Sequence, residues 1–386
     1  MAEQNRTIVI AEMPIPHILT PARKTIIHGW HFPLSSGRRE CSSERILLNP
    51  YSGCSVECPE CYARAYGGAF SLWNKSGIIT VKIDIAERLQ RELSRLRWAA
   101  CGYLSPVTDP FQTLESAYHL SEACIDTFLD LDLPVEIVTK RGESVPVRVL
   151  ERMADHPYGH CFCQYTVLSL EREVQLFFAP GGSSPNSQLD AMRLSSELGL
   201  FTILRIDPIL PGINDGAQAI EQLVQAAKER GCKHVIASFC DLNLRTKKQV
   251  FDSVGRYDES IRAYWRSLYD ERQGSGIHAK LGYRLEKAEL LRSICNKYGL
   301  TFALCMEFAF TEGKYEGLNS RFMTSSSCEG KQVPMYSRES LTEKFRPVKG
   351  CTGACLNCAK IKKPPPCGKP ELAKCGALKY SDYLKL

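Results

Sequence analysis

Long apolar runs are missing from the 386-residue sequence, and with them any helix of the roughly 20 apolar residues needed to cross a bilayer. Near the start, Ile8-Val9-Ile10-Ala11 is too short for a secretory signal, and Glu12, Pro14 and Pro16 follow it at once. The expected location is therefore cytoplasmic. A strong excess of one charge is also lacking. The 49 Lys and Arg exceed the 43 Asp and Glu by only +6, a weak pointer to a polyanionic partner. Low-complexity segments are absent, and 44% hydrophobic with 24% charged residues excludes a disordered chain.

Cysteine is abundant instead. Eighteen cysteines in a chain without a secretory signal point away from disulfides and toward thiolate-bound metal. Cys54, Cys58 and Cys61 stand at C-x3-C-x2-C in a Pro-containing loop, directly after Ile46-Leu47-Leu48 and Asn49-Pro50. Three thiolates that close together suit a soft metal centre. The spacing admits zinc as well as an iron–sulfur cluster. Three ligands on a four-iron cluster leave one iron with an open coordination position.

The spacing returns in Cys351-Thr352-Gly353-Ala354-Cys355-Leu356-Asn357-Cys358, flanked by Gly350, Pro364-Pro365-Pro366, Gly368 and Gly376. A segment with so little apolar periodicity is short of a core of its own, and metal is the available staple. Residues 309–386 are expected to form a small cysteine-rich domain around an auxiliary [4Fe-4S] cluster or a zinc ion. Cys351, Cys355 and Cys358 are its expected ligands, with Cys305, Cys328, Cys367 or Cys375 as the fourth. Between residues 360 and 380, Lys360, Lys362, Lys363, Lys369, Lys374 and Lys379 stand against Glu371 alone, a surface for phosphate or simply a solvated one. Cys124, Cys232 and Cys295 read as small core residues.

Residues 1–43, broken by Pro14, Pro16, Pro21 and Pro33, read as an irregular, locally basic leader. Between 44 and 308 strands and helices alternate. Apolar strands are expected at 46–48, 98–104, 134–139, 162–168, 201–206 and 234–239, with one more possible at 301–306. Helices are expected at 83–97, 187–198, 247–270 and 284–298. Continuous apolar strands separated by helices specify a parallel sheet covered by helices. Six such units followed by a different tail predict an α/β fold, a partial (β/α)6 TIM-type barrel, with its chemistry at the carboxyl ends of the strands. Asp109, Thr139, Lys140, Ser169, Arg205 and Asp207 collect there, with the three cysteines after the first strand.

The cysteine spacing, with Tyr62 directly after Cys61, resembles the signature of the radical SAM superfamily. Thr108-Asp109-Pro110-Phe111-Gln112, Ser169-Leu170-Glu171-Arg172-Glu173 and Pro208-Ile209-Leu210-Pro211-Gly212-Ile213-Asn214-Asp215 resemble its spore photoproduct lyase-like branch. The resemblance covers about residues 44–242. It implies a [4Fe-4S] cluster on Cys54, Cys58 and Cys61 that reductively cleaves S-adenosylmethionine to a 5′-deoxyadenosyl radical. It further implies cofactor contacts from Tyr62, Asp109, Thr139, Lys140, Ser169 and Arg205, and a reducing partner such as flavodoxin or ferredoxin. Cys101, Cys163 and Cys240 are candidate hydrogen-atom donors. The expected substrate is a nucleic acid, nucleotide or nucleoside-like molecule. An amino-acid-derived metabolite or peptide is the alternative, and a non-enzymatic zinc-stapled binding protein the second alternative.

Overall fold

The computed structural model describes residues 15–30, 43–355, 358, 364–374 and 376–386. Most of the basic leader, Cys375, Lys360, Lys362 and Lys363 lie outside the described residues. The chain lays down β1 (His17–Thr20), β2 (Arg45–Leu48), β3 (Tyr51–Ser52), β4 (Ile79–Lys82), β5 (Trp98–Ala99) and β6 (Cys101–Leu104). Then come β7 (Val135–Thr139), β8 (Phe162–Thr166), β9 (Phe201–Ile209) and β10 (His234–Phe239). The last are β11 (Leu242–Asn243), β12 (Tyr269–Gln273), β13 (Gly276–Ala279), β14 (Thr301–Leu304), β15 (Phe308–Thr311), β16 (Lys314–Gly317), β17 (Tyr336–Ser337) and β18 (Arg346–Pro347).

Seven of these form one sheet in the order β14-β10-β9-β8-β7-β6-β2. Every neighbouring pair in it is parallel. The crossovers carry helices, as parallel pairing requires, so both faces are covered and the strands read as near-continuous apolar runs. This is the expected partial barrel, with β14 as its seventh strand. No helix among the described residues is long and apolar enough to cross a membrane.

Three expectations are corrected. The leader is not wholly irregular, because β1 pairs in parallel with β4 and β4 in turn with β3. The helical stretch 247–270 is two helices, Lys247–Tyr257 and Glu259–Leu268. Asp258 breaks it: its carboxylate accepts from the amides of Ser260 and Ile261 and starts the second helix. The β12–β13 hairpin after it was invisible because polar Asp270, Glu271 and Arg272 break the strand pattern. Finally, the tail does not stand apart. Val333, Met335, Tyr336, Phe345, Leu372, Leu378 and Tyr383 are buried in the same apolar cluster as the barrel.

Alternation along each strand sends one set of side chains to the helices and the other into the barrel. Gly102 faces Phe128 of the helix Leu120–Leu129, where a Cβ would lie 3.0 Å from the ring. Its neighbour Cys101, in register with Arg45, faces the interior. The interior set is polar. Fully buried Arg45 bonds Glu136 of β7 at 3.2 Å and also Glu329 of the tail. Gln164 of β8 connects Glu136 to Arg205 of β9 at 3.4 and 2.9 Å, and Arg205 bonds Asp207 at 2.5 Å. Burial and the nearby Glu329 push the Glu136 carboxyl up, against the pull of Arg45. The tail thus seals the amino ends of the strands. There the Cys328 carbonyl meets the His234 ring at 3.0 Å, and Gly330 at φ +69° packs where a Cβ would strike that ring at 2.4 Å.

Removing one member of a buried ion network strands the remaining charges, at a cost of about 3–5 kcal/mol. Arg45→Ala is expected to lose that much unfolding free energy in urea titration. A loss under about 1 kcal/mol would mean that the network is not stabilising.

Candidate active site

The cysteine loop leaves β3 and is clamped from three sides. Gln112, buried after β6, accepts from the Ser55 amide at 3.0 Å and donates to the Gly53 carbonyl at 3.2 Å. The Thr113 amide donates to Ser55 Oγ at 3.0 Å. Beyond β8, the Gly181 amide donates to the Val56 carbonyl at 2.9 Å. A Cβ on Gly181 would lie 2.1 Å from the Ser55 carbonyl oxygen, so only glycine allows this approach. Below the loop, Arg64 donates to the Cys58 carbonyl at 3.2 Å, pairs with Glu57 at 2.8 Å and lies 4.3 Å over the Trp73 ring. On all these sides the loop is held by contacts from the protein itself.

Cys54 is buried, and Cys58 and Cys61 are half-buried. Burial pushes the Cys54 thiol up to about 12 and raises Cys58 and Cys61 too. A thiolate here therefore needs a cation. Lys140, beyond β7, supplies one, its Nζ 3.7 Å from Cys58 Sγ. Burial works against the ammonium, but Cys58, Glu60 and Asp207 outweigh it and hold its pKa above the ordinary lysine value. Glu60, between Cys58 and Cys61, is buried, and its Oε2 has no hydrogen-bond partner. Three thiols, a buried cation and an orphaned carboxylate oxygen fit a cluster with a charged organic ligand on it.

The other expected cofactor contacts divide. Arg205 and Asp207 face the interior beside this site. Asp109 uses its carboxylate on Thr139 Oγ1 (2.9 Å) and the Phe111 (2.9 Å) and Lys140 (2.7 Å) amides. Its place is thus to set the loop that carries Lys140. Thr139 in turn accepts from the Arg141 amide at 2.8 Å, and Ser169 Oγ from the Glu171 amide at 3.0 Å. Tyr62 is half-exposed, its hydroxyl donating to the Pro106 carbonyl, and its ring meets half-exposed Tyr66 edge-on at 5.9 Å.

Of the candidate hydrogen donors, Cys240 alone stands at this end, at the close of β10, near Glu60 and Asp207. Strand alternation turns Cys163 outward to Ser195 of the helix Pro185–Glu197. Cys101 lies at the amino end of β6 by Arg45 and Glu136. Glu60 was missed in the sequence because nothing in a lone Glu between cysteines reveals an unpaired oxygen. So was the group at the ends of β10 and β14. There His278 Nδ1 lies 2.5 Å from Asp241, and burial pushes Glu307, bonded to Arg284 at 3.0 Å, up to about 7.

In the tail, Cys351, Cys355, Cys358 and Cys367 line one pocket. Cys305 lies instead inside the barrel by Arg205 and Asp207. Cys328 belongs to the segment against β10, and Cys375 is outside the described residues. Among the described residues, no three Cys, His, Asp or Glu side chains already close on a single ion.

No family model matches the chain. It is 27% identical to the radical SAM Nalpha-GlyT isomerase of Pseudomonas phage M6, over 96% of this chain and 79% of that protein. It is 24% identical to an uncharacterised protein of Mycobacterium tuberculosis, over 66% of this chain and 75% of that one. The fold resembles spore photoproduct lyase solved in complex with dinucleoside spore photoproduct, with TM-score 0.52 and 15% identity over 78% of this chain and 88% of that one. These likenesses, with the clamped cysteine loop, point to the radical SAM class of enzymes. Within that class its architecture is the spore photoproduct lyase-like one.

Two outcomes are expected. Gly181→Ala should displace Ser55 and lower the iron retained by the Cys54 loop at least twofold, with the far-ultraviolet circular dichroism unchanged; full iron content would show that the clamp is not needed. Cys367→Ala is expected to lower the protein's metal content by about four irons or one zinc, whereas Cys328→Ala should leave it unchanged.

Proposed function

We propose that this radical SAM enzyme abstracts hydrogen from a nucleic acid, nucleotide or nucleoside-like substrate. The observation that carries the reading is the placement of the cysteine loop. It lies at the carboxyl ends of the strands, with the half-exposed rings of Tyr62 and Tyr66 beside it. Flat aromatic faces at a mouth suit a nucleobase, because every base offers a face for stacking. The dinucleoside bound by the spore photoproduct lyase neighbour supports the same class. When bound on Cys54, Cys58 and Cys61, a [4Fe-4S] cluster supplies the electron that cleaves S-adenosylmethionine to a 5′-deoxyadenosyl radical.

This chain's own residues do the holding. Gln112, Thr113, Gly181 and Arg64 fix the loop, and Lys140 offers a cation for a carboxylate. Arg205 and Asp207 shape the interior wall. The net reaction we propose is a rearrangement, as the name of the phage relative says of that protein. A rearrangement can return the abstracted hydrogen to the product and needs no separate thiol donor. That agrees with Cys163 turning to the helices and Cys101 standing at the opposite end, and it leaves Cys240 without a required role. The electron would come from a small reducing protein such as flavodoxin or ferredoxin. The four tail thiols would hold a second cluster or a zinc ion. We place the enzyme in a reducing, cytoplasmic setting, where eighteen cysteines stay available to metal.

The test is reductive formation of 5′-deoxyadenosine by the reconstituted enzyme. The wild type should form it and Cys54→Ala should not, a drop of at least 100-fold. Single-stranded DNA, RNA or nucleosides should accelerate formation in the wild type. Acceleration by peptides or amino acids alone would transfer the enzyme to the alternative substrate class, and zinc without iron in anaerobically purified protein would end the radical reading.

A further inference from the structure

Lys140 and Glu60 are opposite charges, both buried beside the cysteine loop, yet they do not pair. Lys140 Nζ reaches Cys58 Sγ at 3.7 Å, and no ion pair within 4.0 Å joins it to Glu60. A buried carboxylate oxygen without a partner is costly, because it has given up water and gained no hydrogen bond. Buried polar atoms of this kind are nearly always satisfied in the working state of a protein. Glu60 retains 6% of its surface, and no described residue bonds its Oε2. Arg64, a few residues on, spends its guanidinium on Glu57 and the Cys58 carbonyl. The other charge facing Glu60 is Asp207, an acid that is itself held by Arg205 and Ser238. An N–H donor brought by a ligand would satisfy that oxygen.

A cation and an anion held apart beside three cluster-binding thiols match a zwitterion. S-adenosylmethionine carries a carboxylate for Lys140, and its methionine ammonium and adenine amine are both N–H donors. We propose that Glu60 is a cofactor-binding residue whose carboxylate accepts a hydrogen bond from an N–H donor of S-adenosylmethionine. The inference rests on the radical SAM reading and adds to it a residue inside the cysteine loop itself. That position has a consequence. The segment that binds the metal also binds the organic cofactor, with Glu60 two peptide bonds from Cys58 and one from Cys61.

The test uses full-length reconstituted protein, wild type, Glu60→Gln and Glu60→Ala, each with its iron content measured. Affinity for S-adenosylmethionine is read by equilibrium dialysis and by the change it causes in the electron paramagnetic resonance of the reduced cluster. The expected result is normal iron, at least tenfold weaker binding in Glu60→Ala and a smaller loss in Glu60→Gln, whose amide oxygen still accepts. Competition with methionine and with 5′-deoxyadenosine locates the donor. Weakened methionine binding assigns the ammonium, and weakened 5′-deoxyadenosine binding assigns the adenine amine. Unchanged binding of all three at normal iron overturns the proposal. So does loss of iron in both variants, which would make Glu60 a support of the loop. Failure of the wild type to bind S-adenosylmethionine would instead fail the radical SAM reading itself.

Discussion

The arrangement of this enzyme depends on a charge that water cannot reach. Arg45 opens the first barrel strand with its guanidinium fully buried, between Glu136 of β7 and Glu329 of the tail. A buried pair of this kind is poor evidence for net stability against an apolar alternative, but it is strict about geometry. It joins one edge strand of the sheet to β7, and both to Glu329, which lies 284 residues from Arg45 in sequence. Through Gln164 and Arg205 the same chain of polar contacts climbs the interior to Asp207, beside the cysteine loop. The amino end of the barrel and its reactive end are thereby held in one register.

That register explains why much of the fold was legible in sequence and part of it was not. The strands at 46–48, 134–139 and 234–239 showed as apolar runs because helices cover them on one side and an occupied interior on the other. The polar members, Arg45, Glu136, Gln164 and Arg205, are isolated exceptions in the strands of this sheet. A lone charged residue in an apolar strand does not announce its partner, least of all one from the far end of the chain. The tail looked autonomous for a related reason. Its apolar residues are too few and too scattered for a core of their own, and they share the barrel's instead.

The site divides along the same line. The three cysteines were legible because spacing in sequence is spacing in a loop. Lys140 was legible from its place after an apolar strand. Asp109 was placed at the correct end of the barrel, but its carboxylate turns back to the Lys140 amide. Gly181 and Glu60 needed three dimensions. One is set by a close approach between loops 125 residues apart, and the other by an oxygen without a hydrogen-bond partner. Sequence patterns report periodicity and composition, and neither quantity records an approach or an unfilled bond.

The two cysteine sets also stand at opposite ends of the barrel. The Glu44 amide, just before β2, donates to the Gly353 carbonyl at 2.9 Å, whereas Cys54 lies beyond the far end of that strand. Four strand residues span about 13 Å. A metal held by Cys351, Cys355, Cys358 and Cys367 would therefore be separated from substrate at the mouth by the barrel itself. Its reach is toward the tail. The Met335 amide donates to Cys351 Sγ at 3.4 Å, and Gly353 packs against the Val333 carbonyl. The same segment runs back to Glu329 and so to Arg45. Closing the four thiols on a metal would fix this segment, and with it the plug under the barrel. In that arrangement the tail acts on the chemistry by holding the strands that present the cysteine loop, without touching the substrate.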